Sequence, residues 1–200
     1  MNPHSRRHLP VWLLVAASAA APCAVGCQWT AHAQNSEGVQ LYQQAYYDGA
    51  LQRFQQALQT DPTNPDSYYN IGATYHRLGK LHHSQAELLQ AESFYHQCLD
   101  RSQFGHPDCF RGLAVLLAES GRSAEAYKLL EDWAIRNPGQ SGPRIELARL
   151  YEEAGERESA KQQLLEAIAV DPVNARALAA LGRLREETGD PGQALANYER

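Results

Sequence analysis

No stretch of this 200-residue chain alternates apolar and polar residues with β-branched enrichment, so almost no strand is expected. Glycine and proline never gather into a low-complexity linker. There is no G-x-S-x-G, no Gly-rich phosphate loop and no Cys/His nucleophile arrangement. Glu152-Glu153 and Glu186-Glu187 are adjacent on the sequence, and neighbours on a helix diverge by about 100°, so neither is a paired acid–base set. The sequence therefore offers no catalytic residue and implies no cofactor, and a non-enzymatic role is expected. Basic residues are also few, 18 Lys and Arg against 23 Asp and Glu. A nucleic-acid partner needs clustered cations to neutralise phosphates, and none are clustered here.

The four cysteines are equally sparse, and two of them, Cys98 and Cys109, fall in the body of the chain. The segment between them is short enough for a disulfide to close in an exporting context, and small buried thiols are the other reading. His76, His82, His83 and His96 contain no pair at the i, i+4 spacing of a helical zinc site. Solvated surface histidines and no metal site are expected of these four.

Against these absences stands a period. The segment Ser141 to Asn174 carries Leu147-Ala148, Tyr151, Gly155, Ala160, Leu164, Ala167 and Pro172. The next segment repeats Leu181-Gly182, Gly189, Ala194 and Tyr198 at the same offsets, and an earlier one reads Gly38, Leu41, Ala50, Phe54, Ala57 and Pro62. Each unit holds two amphipathic stretches of three to four turns. Small residues stand where the two helices must approach: Gly38, Gly72, Ala114, Ala148 and Gly182 on the first, Ala50, Ala126, Ala160 and Ala194 on the second. Asp61-Pro62, Asn137-Pro138 and Asp171-Pro172 close second helices, since proline cannot donate the bond that would continue them. No unit can bury its apolar face alone, so the units must stack around one continuous core.

The spacing of about 34 residues and these residues resemble the tetratricopeptide repeat, marked by W-x2-L-G-x2-Y, A-x3-F and a closing proline. The resemblance implies an all-α, right-handed solenoid of about five helix–turn–helix repeats. The units fall at 31–64, 65–106, 107–140, 141–174 and 175–200, the last incomplete, within a repeat domain spanning 36–200. Helices are expected near 36–46, 50–61, 66–78, 82–101, 107–120, 123–136, 141–154, 157–170, 175–188 and 191–200. It also implies a concave groove lined by first helices that binds a protein or extended peptide. Carried over position by position, the groove includes Tyr69, His76 and Arg77, then Arg111, then Arg149 and Glu152, then Arg176, Arg183 and Glu187. Its arginines suit carboxylates or peptide carbonyls. The same alternation of charge also suits a plain solvated face. The chaperone-tail clamp of some family members is not expected, because Asp108, Gly112, Gly142 and Glu146 stand where basic residues would be needed.

Three departures from the pattern carry expectations. The second unit is too long, and Ser84/Leu88/Ala91 and Ala91/Tyr95/Cys98 both fit its second helix, so a single helix over 82–101 should project past its neighbours. Trp133 occupies a small-residue position and should wedge the third and fourth units apart or shift the joint between Pro138 and Pro143. The sequence stops at Arg200 inside the last helix, so either Leu184, Leu195 and Tyr198 face solvent or a second copy, a route to a homodimer through the C-terminal helix, or the sequence is a fragment of a longer gene product.

The first 26 residues read as an export signal: Arg6 and Arg7, then an apolar run from Leu9 to Val25. Pro10 and Pro22 break that run, which is also short for a membrane span. Ala24-Val25-Gly26-Cys27 resembles a lipobox, in which the Cys27 thiol would carry diacylglycerol and residues 27–35 would tether the domain. Ala31-His32-Ala33 fits ordinary signal cleavage instead, with Gln34 as the new N-terminus. Without the two signal arginines the chain holds 16 basic and 23 acidic residues, a net of −7. Membrane attachment would then rest on acyl chains alone, with no basic patch to help. The expected protein is a scaffold of the bacterial envelope, periplasmic or outer-membrane-anchored, with a soluble periplasmic or secreted form as the alternative location. The alternative function is a regulatory or substrate-docking region of a larger enzyme.

Overall fold

A computed structural model describes residues 21–199. They form ten helices: α1 (Ala21–Gln43), α2 (Tyr47–Thr60), α3 (Pro65–His82), α4 (Gln85–Arg101), α5 (Pro107–Glu119), α6 (Ser123–Arg136), α7 (Gly142–Glu153), α8 (Arg157–Val170), α9 (Ala175–Glu187) and α10 (Pro191–Tyr198). Among the described residues there is no strand. Each odd helix pairs with the even helix after it, and the five pairs stack in chain order. Consecutive odd helices also touch from α1 to α7, so the first helices share one inner face.

The boundaries have local causes. Asn64 and Asn174 cap α3 and α9 by accepting from the backbone N–H of Asp66 at 2.9 Å and of Ala177 at 3.1 Å. Asp61 and Asp171 end α2 and α8 with nearly identical extended backbones, φ −136° in both, immediately before proline. The turn inside each pair carries one residue in the left-handed region. Units three to five put Gly121, Gly155 and Gly189 there, at φ 75°, 77° and 84°. Units one and two put Ala45 and His83 at the same position, at φ 63° and 50°. In all five the residue after it donates a backbone bond five residues back, as in Ser84 to Gly79 and Glu156 to Tyr151.

The core is a chain of small-on-large contacts. Phe54, Leu113, Leu130, Leu164 and Leu181 are buried, as are Ala50, Ala126, Ala160, Ala167 and Ala194. Tyr95 of α4 reaches across two glycines on neighbouring helices: an added Cβ would meet its ring at 3.0 Å from Gly72 and at 2.5 Å from Gly112. These glycines make room for a ring, and their φ angles are ordinary.

Four expectations change. First, α1 begins at Ala21, well before the expected residue 36, and it includes residues 27–35, which are helical and bury Ala31 and Asn35 rather than forming a tether. Asn35 donates to the Ser67 hydroxyl at 2.9 Å, which fastens that helix to α3. Most of the proposed signal, residues 1–20, and the Cys27 side chain lie outside the described residues. Second, the surplus length of unit two is shared between its helices. α3 runs on to His82, and α4 starts after Ser84, whose hydroxyl accepts from the Glu87 N–H as an N-cap. The frame Ala91/Tyr95/Cys98 is the buried one, and Leu88 lies over Gly79 in the extra turn of α3. Third, Trp133 stacks flat on Phe110, ring centroids 4.6 Å apart and planes 2° from parallel, with Gly142 at the start of α7 leaving room for its edge. It is thus absorbed into the core of unit three. Fourth, α10 stops at Tyr198, whose ring covers Gly182 while 45% of the residue stays exposed; the side chain of Leu195 lies outside the described residues.

Cys98, in the last turn of α4, and Cys109, in the first turn of α5, are joined as a disulfide with a Cα–Cα separation of 6.2 Å. Both are fully buried. No helix among the described residues is long and apolar enough to cross a membrane.

Candidate protein-binding groove

The groove residues do not stand free. They link one first helix to the next. His106 precedes α5, and its ring nitrogen Nε2 lies 2.8 Å from the Asp66 carboxylate on α3. Further along the same two helices, Glu119 takes both His76 Nε2 at 2.9 Å and Lys80 Nζ at 2.6 Å. Between α5, α7 and α9 the hub is Glu146, 2% exposed, which accepts from Arg111 at 2.9 Å, Arg176 at 2.7 Å and Arg149 at 3.3 Å. Burial alone would raise the Glu146 carboxyl, but the hydrogen bonds from Arg176 and Arg111 outweigh it and hold the group below its ordinary range.

His76 corrects the expectation of solvated histidines: its side chain is 11% exposed. Burial pushes its pKa down, and the bond to Glu119 only partly opposes this. Glu119 is held low by Lys80 and His76 against its own desolvation, so it is ionised and the His76 Nε2–H is the donor. His82, His83 and His96 are exposed as expected.

The predicted groove residues separate into two groups. Arg149, Glu152, Arg176 and Arg183 surround one hollow of about 370 Å³ between α7 and α9, floored by Ile145, Glu146 and Ala179. Arg111 joins that group through Glu146, and Glu187 lines the adjoining hollow with Glu152. Tyr69, His76 and Arg77 belong to the other end. Tyr69 stacks on the His106 ring at 5.8 Å, and Arg77 donates to the Tyr47 hydroxyl at 3.2 Å. A larger hollow of about 720 Å³ near His76 is also lined by charges, but they satisfy one another: Glu119 as described, and Arg122 with Glu92 and Glu125 at 2.9 and 2.7 Å.

The α7–α9 hollow differs in one respect. Arg149 gives Nε to Glu146 and Nη1 to Glu153, while its Nη2 is buried with no hydrogen-bond partner. An orphaned guanidinium N–H costs roughly 1–3 kcal/mol unless something accepts from it. One turn further along α7, burial and the neighbouring Glu187 and Glu153 raise Glu152, with Arg183 opposing them. The hollow thus gathers three arginines, Arg149, Arg176 and Arg183, with the acids Glu146 and Glu152. It holds no nucleophile–base pair, and no other chemistry follows from it.

Sequence reasoning missed Glu146 as a hub and His106 altogether. Glu146 stood out only as a residue that was not basic. The offset of about one repeat between Arg111, Glu146 and Arg176 was the signal that could have found it.

Family comparisons agree with this architecture. Residues 38–79 match a family described as TPR repeat, and residues 65–102 and 117–184 match families described as tetratricopeptide repeat. Among curated proteins, a tetratricopeptide repeat protein 30 homolog of Drosophila pseudoobscura pseudoobscura is 33% identical over 47% of this chain and 13% of its own length. Cellulose synthase operon protein C of Xanthomonas axonopodis pv. citri (strain 306) is 30% identical over 74% of this chain and 10% of its own length. Protein O-mannosyl-transferase TMTC3 of Homo sapiens is 25% identical over 83% of this chain and 19% of its own length. The chain thus spans no more than about a fifth of the length of these curated relatives. Among solved structures, a thermophilic TPR protein of Thermus thermophilus is 25% identical, covers 84% of this chain and 88% of its own, and superposes with a TM-score of 0.62. MamA of Desulfovibrio magneticus RS-1, at 15% identity, covers 85% and 92% with a TM-score of 0.53 and shares the fold. Five stacked helix pairs, small residues at each crossing and these matches together place the chain in the tetratricopeptide repeat family, an all-α right-handed solenoid whose fold is generally a non-catalytic interaction module.

Proposed function

We propose that this protein is a non-enzymatic scaffold that holds an extended segment of a partner protein in the groove of its fourth and fifth units. The observation that carries this is the α7–α9 hollow itself, lined by Arg149, Arg176 and Arg183 beside the apolar Ile145 and Ala179. Arg149 and Arg183 take a side-chain carboxylate or peptide carbonyl, and Arg176 and Glu146 hold Arg149 in place. The test is binding of the full chain to an array of extended peptides, followed by titration of the best ligand. Acidic peptides should be retained, and Arg149→Gln should weaken them at least about tenfold, the loss of roughly one charge-assisted hydrogen bond. Arg53→Ala, on α2 and far from the groove, should leave binding unchanged. Equal binding by Arg149→Gln would overturn the reading.

The proposal extends to the cell envelope on sequence grounds: the basic and apolar leader and the lipobox-like Ala24 to Cys27 support export and acylation at Cys27. Mass spectrometry of the mature N-terminus decides it, since an acylated Cys27 and an unmodified Gln34 are distinct products. Such a lipoprotein would be periplasmic or held at the outer membrane. A second copy is a further candidate partner at α10, where Tyr198 is exposed; sedimentation of wild type against Tyr198→Glu tests this.

One observation favours the alternative of a docking region within a larger protein. Its curated relatives are several times longer, and one of them is named as a transferase. A transcript reading through Arg200 into further coding sequence would favour that alternative.

A further inference from the structure

Among the described residues, His106 is one of three side chains with a buried polar atom that has no hydrogen-bond partner. It occupies the N-cap of α5 without making a cap bond, and its side chain is 15% exposed. Nε2 faces the Asp66 carboxylate at 2.8 Å, while Nδ1 is buried with no hydrogen-bond partner. Next to it are the two sulfurs of Cys98 and Cys109, and one ring nitrogen of His106 lies within 4.8 Å of both. The carboxylate oxygen of Asp66 accepts at this distance, so Nε2 carries the proton. The free lone pair is therefore on Nδ1, the nitrogen that has no partner.

A neutral imidazole whose far N–H is held by a carboxylate is the form in which histidine ligates a metal, and the carboxylate fixes both tautomer and ring orientation. Two thiolates and one imidazole are a donor set for soft or borderline cations, and hard ions such as magnesium or calcium would not select it. With metal–sulfur bonds near 2.3 Å in tetrahedral geometry, the two sulfurs would sit about 3.8 Å apart. The Cα–Cα separation of 6.2 Å belongs to a pair that is able to close as a disulfide or open by that amount with side-chain rotation.

We propose that the reduced form of this protein binds one thiophilic metal ion, zinc(II) or copper(I), through Cys98 Sγ, Cys109 Sγ and His106 Nδ1, with Asp66 positioning the histidine. The disulfide and the ion exclude each other. A dithiol supplies two electrons and two protons to cleave the S–S bond and give two thiols, becoming a disulfide itself; a phosphine supplies the two electrons, and water supplies the two protons and the oxygen of the phosphine oxide. Ion binding then releases both thiol protons and forms two metal–sulfur bonds. Copper(I) is content with these three ligands. Zinc would add a water as its fourth, at the partly exposed edge of the His106 ring. Because the donors come from the end of α4 and the start of α5, with the positioning carboxylate on α3, the ion would fasten the same joint that the disulfide fastens.

The test uses the full chain, reduced with a phosphine under argon and freed of excess reductant. One arm titrates cobalt(II), the coloured stand-in for zinc. The other offers copper(I) buffered by a chromophoric chelator. One equivalent should bind in at least one arm, with thiolate-to-metal charge transfer in the near ultraviolet. Cobalt binding reversed by zinc assigns zinc; uptake in the copper arm alone assigns copper(I). Cys98→Ser should abolish the charge-transfer band, and His106→Ala and Asp66→Asn should each weaken binding at least about tenfold. The disulfide form should bind nothing at the same concentration. In the unmutated reduced protein, the bound ion should also slow alkylation of both thiols, a readout that needs no variant to fold. No charge transfer in either arm, affinity unchanged in a His106→Ala variant of native helicity, or equal binding by the disulfide form would each overturn the proposal.

Discussion

Arg111 on α5 and Glu146 on α7 meet at 2.9 Å across the joint between the third and fourth units, and the carboxylate is almost fully enclosed. Arg176 approaches the same carboxylate from α9 at 2.7 Å, so one buried anion connects three successive first helices. The arginines are themselves 39% and 57% exposed, and solvent screens much of their attraction. The carboxylate's value therefore lies mainly in keeping the joint's donors satisfied.

Glu146→Ala should destabilise the fold by about 1–3 kcal/mol, because it strands donors at a buried joint. Glu146→Gln should cost less at neutral pH and should also change the acid response. The native Glu146 carboxyl is held below its unfolded value. Its contribution is therefore complete above the ordinary carboxylate range and is lost as the pH falls through the lower folded value. Urea unfolding of wild type and Glu146→Gln should show a stability gap at pH 7 that narrows as the pH drops well below about 4.

The left-handed turn position gives an internal control. Gly121, Gly155 and Gly189 meet nothing within 4 Å where a Cβ would go, so only backbone conformation demands glycine there. Gly155→Ala should cost about 1 kcal/mol. Ala45 holds the same conformation with a side chain, so Ala45→Gly should gain a few tenths to about 1 kcal/mol. Chemical denaturation of both variants should show opposite signs at equivalent turns.

Tyr95 makes a different demand on glycine. At Gly112 an added Cβ would fall 2.5 Å from the tyrosine ring, and the ring, closed in by Gly72 on the other side, has little room to retreat. Gly112→Ala should destabilise by about 1–3 kcal/mol through overpacking. In a Tyr95→Leu background the same change should cost much less, a coupling that a double-mutant cycle reads directly.

Most of the helix pairing was legible because it depends on residue size at fixed offsets: Gly38 against Phe54, Gly72 against Tyr95 and Gly182 against Tyr198 are small and large partners on one period. What escaped depends on groups that meet across repeats. Glu146 is an ordinary helix-surface acid until three arginines from different helices surround it. His106 sits in the joint between units, outside any helical period, and its meaning comes from Asp66 forty residues earlier and from two sulfurs on either side. The second helix of unit two fitted two frames, Ser84/Leu88/Ala91 and Ala91/Tyr95/Cys98, and the Ser84 hydroxyl caps α4 while the second frame is the buried one. The start of α1 was hidden because its sequence also reads as an export leader.

His76 yields the last prediction. Its ring is buried against α5, with Nε2 2.9 Å from Glu119 and the Tyr95 ring edge-on at 6.3 Å. The charged groups facing it are Glu119 on α5 and Lys80 on its own helix. Burial lowers its pKa, Glu119 raises it, Lys80 lowers it, and the net direction is down. The unfolded chain, with an ordinary histidine near 6.5, therefore binds the proton first as the solution is acidified. Stability from neutral His76 is complete above that value and declines as the pH falls through the lower folded one. His76→Gln keeps an N–H donor for Glu119 and removes the titration. Between about pH 8 and pH 5 the wild type should lose stability relative to His76→Gln, in a window above the one set by Glu146. Parallel stability curves for the two proteins across that range would mean that His76 is not held neutral in the fold.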